Sequence, residues 1–229
     1  LDGDGWPDLV LACEWGPVRV FRNGRGSIQE VTRQWGLESF TGWWNGVSAG
    51  DFDGDGRMDL VAANWGRNTQ YESHRTQPPR LYYGDLNGDG AVAFLESYYE
   101  PSRGAYVPDR MLDVVARGLP FLSERYALHR DWAAATVEEA LRGRAARLLE
   151  ARCLETTVFL NRGGRFEARP LPFEAQLAPA FGVCVADFDG DGAEDVFLSQ
   201  NFFGVDTDTS RYDAGRGLWL KGDGQGGLQ

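Results

Sequence analysis

The sequence predicts an all-β fold of repeated antiparallel units, broken by an α-helical insertion. Three observations predict it. An acidic segment occurs three times, and each copy runs into an apolar stretch. A glycine-rich turn also occurs three times, each after an apolar strand end. The first two acidic segments are 51 residues apart, close to the length of one four-stranded repeat.

The acidic segments align without gaps. Asp2, Asp4 and Asp8 match Asp53, Asp55 and Asp59, and these match Asp189, Asp191 and Asp195. The second and third copies each open on a further carboxylate, Asp51 and Asp187. In the first copy that position would precede residue 1, so the chain reads as a piece of a longer protein. Apolar runs follow at residues 9–13, 60–63 and 196–198, and such runs suit strands buried on both faces. Short strands are expected before two of the loops, at residues 47–50 and 183–186.

The glycine-rich turns follow Phe21, Leu160 and Leu220. An apolar strand end entering such a turn predicts a hairpin. The repeating unit is therefore strand, acidic loop, strand, gap, strand, glycine turn, strand. Four antiparallel strands per unit describe a propeller blade. The chain holds about two blades and parts of a third, too few to close a ring. The organisation predicted is blades over residues 1–108, a helical insertion over 109–153, and blades again over 154–229.

The insertion explains a spacing anomaly. Asp53 and Asp189 are 136 residues apart, too far for one blade. Met111, Leu112, Val114 and Val115 share a helical face. Thr136 and Glu139 have the spacing of a capping box, and an Ala-, Arg- and Leu-rich stretch continues to Leu149. The helices are expected to interrupt the second blade.

Calcium takes six to eight oxygen ligands. Carboxylates at alternate positions of a tight loop converge on one point, and glycines between them allow the positive φ values required. The candidate ligands are Asp51, Asp53, Asp55, the Arg57 carbonyl and Asp59 in the second loop. In the third loop they are Asp187, Asp189, Asp191, the Ala193 carbonyl and Asp195. In the first they are Asp2, Asp4, the Trp6 carbonyl and Asp8. A fourth cluster over residues 85–96 fits an EF-hand loop pattern, with Asp85, Asn87, Asp89, the Ala91 carbonyl and Glu96 as ligands. A strand rather than a helix precedes it, so an EF-like loop without a full EF-hand is expected. Clustered like charges repel without a cation. Magnesium prefers its own waters, and zinc would call for His or Cys.

The motifs at residues 51–60 and 187–196 resemble the calcium loops of FG-GAP/VCBS repeats, which build the integrin α-subunit β-propeller and occur in many bacterial surface proteins. Residues 42–47 and 63–66 resemble the bacterial VCBS group. The resemblance implies structural ions that pin blade hairpins, and loops on one propeller face that bind partners. It also implies an extracellular, cell-surface or periplasmic setting, with a protein or carbohydrate ligand.

Composition narrows the rest. The chain has 229 residues and a net charge of -11, which argues against nucleic acid. No apolar run approaches the ~20 residues of a membrane helix, so no membrane insertion by this segment is expected. Cys13, Cys153 and Cys184 are too scattered for a disulfide framework. His74 and His129 have no motif partners, and no serine lies in a nucleophile elbow. The expectation is a non-catalytic module for adhesion or ligand recognition. A polysaccharide-active enzyme on the same scaffold and a structural spacer are the alternatives. Trp15, Trp43, Trp44 and Trp65 fall near strand ends, where they would either bind a ligand or fill space between blades.

Overall fold

The computed structural model describes residues 1–74, 77–205 and 209–229. The chain forms two compact units. The first comprises Leu1–Gln70, Arg152–Val205 and Ser210–Gln229, and the second Tyr71–Ala151 with a short segment ending at Thr209.

The first unit opens with β1 (Leu9–Leu11), β2 (Glu14–Gly16), β3 (Arg19–Gly24) and β4 (Ser27–Glu30). Strands β1, β3 and β4 make an antiparallel sheet in that order. Arg25 and Gly26, both with positive φ, turn β3 into β4, and the Gly26 amide donates to Asn23 Oδ1 (2.8 Å). β2 pairs instead with β5 (Gly42–Trp43). Then come β6 (Gly46–Gly50) and β7 (Asp59–Ala63), antiparallel, with Gly50 opposite Asp59. The acidic loop 51–58 is the connection between them.

The chain next enters the second unit. β8 (Arg80–Gly84), β9 (Ala93–Glu100), β10 (Ala105–Pro108) and β11 (Arg147–Glu150) form a sheet in the order β10-β9-β8-β11. Between β10 and β11 lie α1 (Leu112–Val115), α2 (Phe121–Arg125), α3 (His129–Ala133) and α4 (Val137–Ala140). The helical segment expected over 109–153 is thus shorter and more broken. Leu148 and Leu149 sit in a strand, paired with Tyr82 and Leu81, because tertiary pairing overrides the helix propensity of the Ala-Arg-Leu stretch. The inserted unit also carries a sheet of its own. One apolar cluster, including Leu86, Leu95, Leu119, Leu122, Trp132 and Ala140, joins sheet to helices.

The expected capping box is present. The Glu139 amide donates to Thr136 Oγ1 (3.2 Å), and the Thr136 amide donates to Glu139 Oε2 (2.8 Å). Helix α4 has only 4 residues and depends on this cap. Thr136→Ala is expected to lower stability by about 1 kcal/mol, read from the urea unfolding midpoint.

The chain returns to the first unit with β12 (Thr157–Asn161) and β13 (Phe166–Pro170). β12 pairs with β7, Val158 opposite Val61, which completes a four-stranded sheet β13-β12-β7-β6. The insertion therefore interrupts this blade between its second and third strands. β14 (Ala180–Ala186), β15 (Asp195–Gln200) and β16 (Leu218–Leu220) build the last sheet.

Two cores flank the middle sheet, and the period-two alternation of a strand assigns residues to each. Leu60, Ala62 and Phe159 pack with Val18, Val20 and Trp44 toward the first sheet. Val61, Ala63, Val158 and Leu160 pack with Val196, Leu198 and Leu220 toward the last. All five residues of β7 are buried, as the run 60–63 predicts. The outer sheets differ from that expectation. Leu9, Leu11 and Phe197 are exposed, since no described sheet covers their outward faces. The observed architecture is mostly β, with blade-like antiparallel sheets and no closed barrel among the described residues.

Candidate metal centres in the acidic loops

The four acidic loops share one backbone conformation. Numbered from the leading carboxylate, positions 4 and 6 are glycines with positive φ. The values are 77° and 83° for Gly3 and Gly5, and 70° and 82° for Gly54 and Gly56. Gly88 and Gly90 have 77° and 84°, and Gly190 and Gly192 have 77° and 89°. Such φ values strain any residue with a Cβ. The amide at position 7 always donates to the position 5 carboxylate at 2.9 Å: Trp6 to Asp4, Arg57 to Asp55, Ala91 to Asp89 and Ala193 to Asp191.

The leading carboxylate organises the turn. Asp51 accepts from the amides of Asp55 (3.0 Å) and Gly56 (2.9 Å). Asp187 accepts from Gly190 (2.7 Å), Asp191 (3.1 Å) and Gly192 (2.9 Å). Asp85 does the same for Gly88 (2.7 Å) and Asp89 (3.0 Å).

The last carboxylate ties the loop to the neighbouring strand. Asp59 accepts from the Phe52 amide (3.0 Å) and from the Asn161 amide (2.6 Å) on β12. Asp195 accepts from Phe188 (3.1 Å) and Gly222 (2.8 Å). Asp8 accepts from the Leu1 nitrogen (2.7 Å) and the Asn23 amide (2.9 Å). The same clamp occurs in the three larger sheets of the first unit.

Two loops bring carboxylates together. One oxygen each from Asp51, Asp53 and Asp59 lie within 4.8 Å of one another, and the same holds for Asp187, Asp189 and Asp195. Asp53 Oδ1 is buried without a hydrogen-bond partner among the described residues, an acceptor that a cation would satisfy. Burial pushes the Asp59 carboxyl up to about 6, against the pull of the Asn161 and Phe52 amides and helped by the charges of Asp53 and Asp55. Burial also pushes Asp195 up, but the Gly222 and Phe188 amides outweigh it and its pKa ends below the usual value. The donors are all oxygen, which fits a hard cation.

The other two loops do not gather such a group among the described residues. In the first, Asp2, Asp4 and Asp8 are present without a leading carboxylate. In the fourth, position 9 is the buried Ala93. Glu96 lies on β9 opposite Leu81 and pairs with Arg110 (3.4 Å). It stands on a strand rather than on the exiting helix of an EF-hand. Asn87 Oδ1 is buried and unpartnered there, while its Nδ2 donates to the Gly118 carbonyl (3.0 Å).

Three basic residues at these loops carry no signal in the acidic motif itself. Arg22 pairs with Asp2 and reaches Asp4 (3.8 Å). Arg162 pairs with Asp53 and reaches Asp55 (4.0 Å). Lys221 pairs with Asp189 and with Asp191 (2.7 Å). Arg57 also pairs with Asp55, within its own loop. The signal available in sequence was placement: each of the first three sits at a glycine turn, where the third strand ends beside the loop. Asn23 and Asn161 were also missed. Their side-chain amides donate to the Pro7 and Met58 carbonyls, at 3.1 Å each.

The tryptophans pack mainly on one another. Trp43 meets Trp15 edge-on at 4.7 Å and Trp65 at 5.7 Å between centroids. Trp65 continues the chain of rings to Phe202 and Tyr212. Trp44 is buried, and its indole donates to the Phe40 carbonyl (2.9 Å). All three cysteines are free thiols. His129 opens α3 and is exposed, and part of the polar loop after His74 lies outside the described residues. No helix among the described residues is long and apolar enough to cross a membrane.

No curated protein matches the chain. Residues 1–62 match the family model of an FG-GAP-like repeat. That stretch spans the first two acidic loops and ends within β7, so loop geometry and family match coincide. On both grounds the first 62 residues carry an FG-GAP-like repeat.

Proposed function

We propose that this chain is a calcium-stabilised β-propeller repeat segment of an extracellular or cell-surface protein, non-catalytic, serving adhesion or recognition of a protein or carbohydrate ligand. The observation that carries the calcium reading is the pair of carboxylate triads, at Asp51, Asp53 and Asp59 and at Asp187, Asp189 and Asp195, in loops with matching positive-φ glycines. Oxygen-only donors with an unpartnered buried acceptor suit calcium better than zinc. FG-GAP repeats typically occur in extracellular proteins, where millimolar calcium fills sites with Kd of about 10⁻⁴–10⁻³ M. The ions would lock each loop to the strand beside it and hold the sheet edges that present a ligand surface.

Calcium titration of chelator-stripped protein by calorimetry tests this, with the melting temperature followed in parallel. Two or more bound ions and a clear rise in melting temperature are expected. A folded chain that shows neither heat nor thermal shift would sink the reading.

A further inference from the structure

We propose that Arg162 and Lys221 are tethered counter-cations of the two loops that carry the carboxylate triads: they hold the position 3 and position 5 carboxylates when calcium is absent and must leave when it binds. The inference rests on the calcium reading of these loops and adds the residues that set their affinity.

Topology places the charges. In each sheet the strand leaving the acidic loop pairs antiparallel with the next strand, whose far end therefore lands beside the loop. Lys221 follows β16 and Arg162 follows β12, and each reaches two carboxylates of its loop. Arg22 repeats the arrangement in the first sheet. Three loops of one architecture thus carry the same basic partner.

The chemistry of the loop separates two kinds of carboxylate. Positions 1 and 9 are occupied by backbone amides and shape the loop. Positions 3 and 5 leave their Oδ2 atoms free of backbone amides, and the basic side chain is bound to these. One positive charge cannot neutralise the group fully, but it relieves the repulsion that would open the loop. Asp189 and Asp191 in turn hold the Lys221 ammonium well above the usual lysine range. Hydrogen bonds to Asp53 and then Glu167 raise the Arg162 guanidinium likewise.

Both side chains have somewhere to go. Arg162 already bonds Glu167 (3.0 Å) and keeps that partner when Asp53 turns to a metal. The Lys221 side chain is 43% exposed, so its ammonium extends into water at little cost. A unit charge about 5 Å from a divalent ion, screened almost as in water, opposes binding by about tenfold. The basic residues therefore trade calcium affinity for a loop that stays formed without the ion.

Calorimetric calcium titration of the full chain tests this in the wild type, Lys221→Met and Arg162→Met, with melting temperatures taken in chelator. Met keeps an unbranched stem and adds no oxygen ligand. Each variant is expected to melt lower without calcium and to bind one ion about tenfold more tightly. Lys221→Arg should keep the wild-type affinity. If the wild type binds calcium while both Met variants bind it equally or more weakly, the counter-cation role is overturned and the calcium reading stands. If the wild type takes up no calcium, both fall together.

Discussion

Asp59→Ala is expected to destabilise the calcium-free protein by about 3 kcal/mol and to remove one bound ion. Asp59 is fully buried. Its two oxygens each accept a backbone amide, from Phe52 (3.0 Å) and Asn161 (2.6 Å). Truncation leaves both amides without an acceptor, and each buried unsatisfied group costs about 1–3 kcal/mol. Relief from burying a carboxylate offsets part of that. Asp55→Ala separates the two roles. Asp55 is exposed and pairs with Arg57, an interaction worth about 1 kcal/mol or less. Its loss should leave calcium-free stability nearly unchanged while weakening the same ion. Urea unfolding in chelator, followed by calcium titration, reads both quantities. Equal calcium-free stability for the two variants would show that the Asp59 clamp does not hold the blade together.

The loops were legible because their chemistry is local. Glycines at positions 4 and 6 and a carboxylate at position 5 are local signals, and all four loops show the same positive-φ glycines and the same amide bond to position 5. The strands around the second loop were legible for a similar reason. A run such as Leu60, Val61, Ala62 and Ala63 has no polar face, so it must be covered on both sides. The capping box at Thr136 and Glu139 is a four-residue device and formed as read.

Longer-range features were not legible. Strand β11 lies in a stretch whose composition favours a helix, and only pairing with β8 makes it extended. Glu96 has EF-hand spacing, but that spacing assumes an exiting helix, and β9 places the residue in a ladder instead. The basic partners were hidden because they come from a different part of the chain: Arg162 and Asp53 are 109 residues apart. Topology, not spacing, brings them together. The insertion is the clearest case. Its helices announced themselves by periodicity, while the strands of the same unit read as more of the surrounding blades.

The last sheet supplies a test of that topology through Gly222. Its amide donates to Asp195 Oδ1 (2.8 Å), as Asn23 and Asn161 do to Asp8 and Asp59. In those two repeats an Asn side chain bridges to the carbonyl before the clamping aspartate. In the third, the backbone itself closes the gap. A Cβ on Gly222 would stand 2.2 Å from the Glu194 carbonyl oxygen and 3.0 Å from its carbon. Both are backbone atoms, so no rotamer change relieves the clash and the strand end must move off the loop. Gly222→Ala is expected to cost about 3 kcal/mol, the overpacking being compounded by the weakened Asp195 clamp. Gly192→Ala is the comparison. It too is strained, at φ 89°, but meets nothing within 4 Å, so only the backbone term of about 1 kcal/mol applies. Thermal melts in chelator rank the two. If Gly222→Ala melts with the wild type, the close approach of strand and loop is absent in solution, and the alignment of Gly222 with Asn23 and Asn161 loses its support.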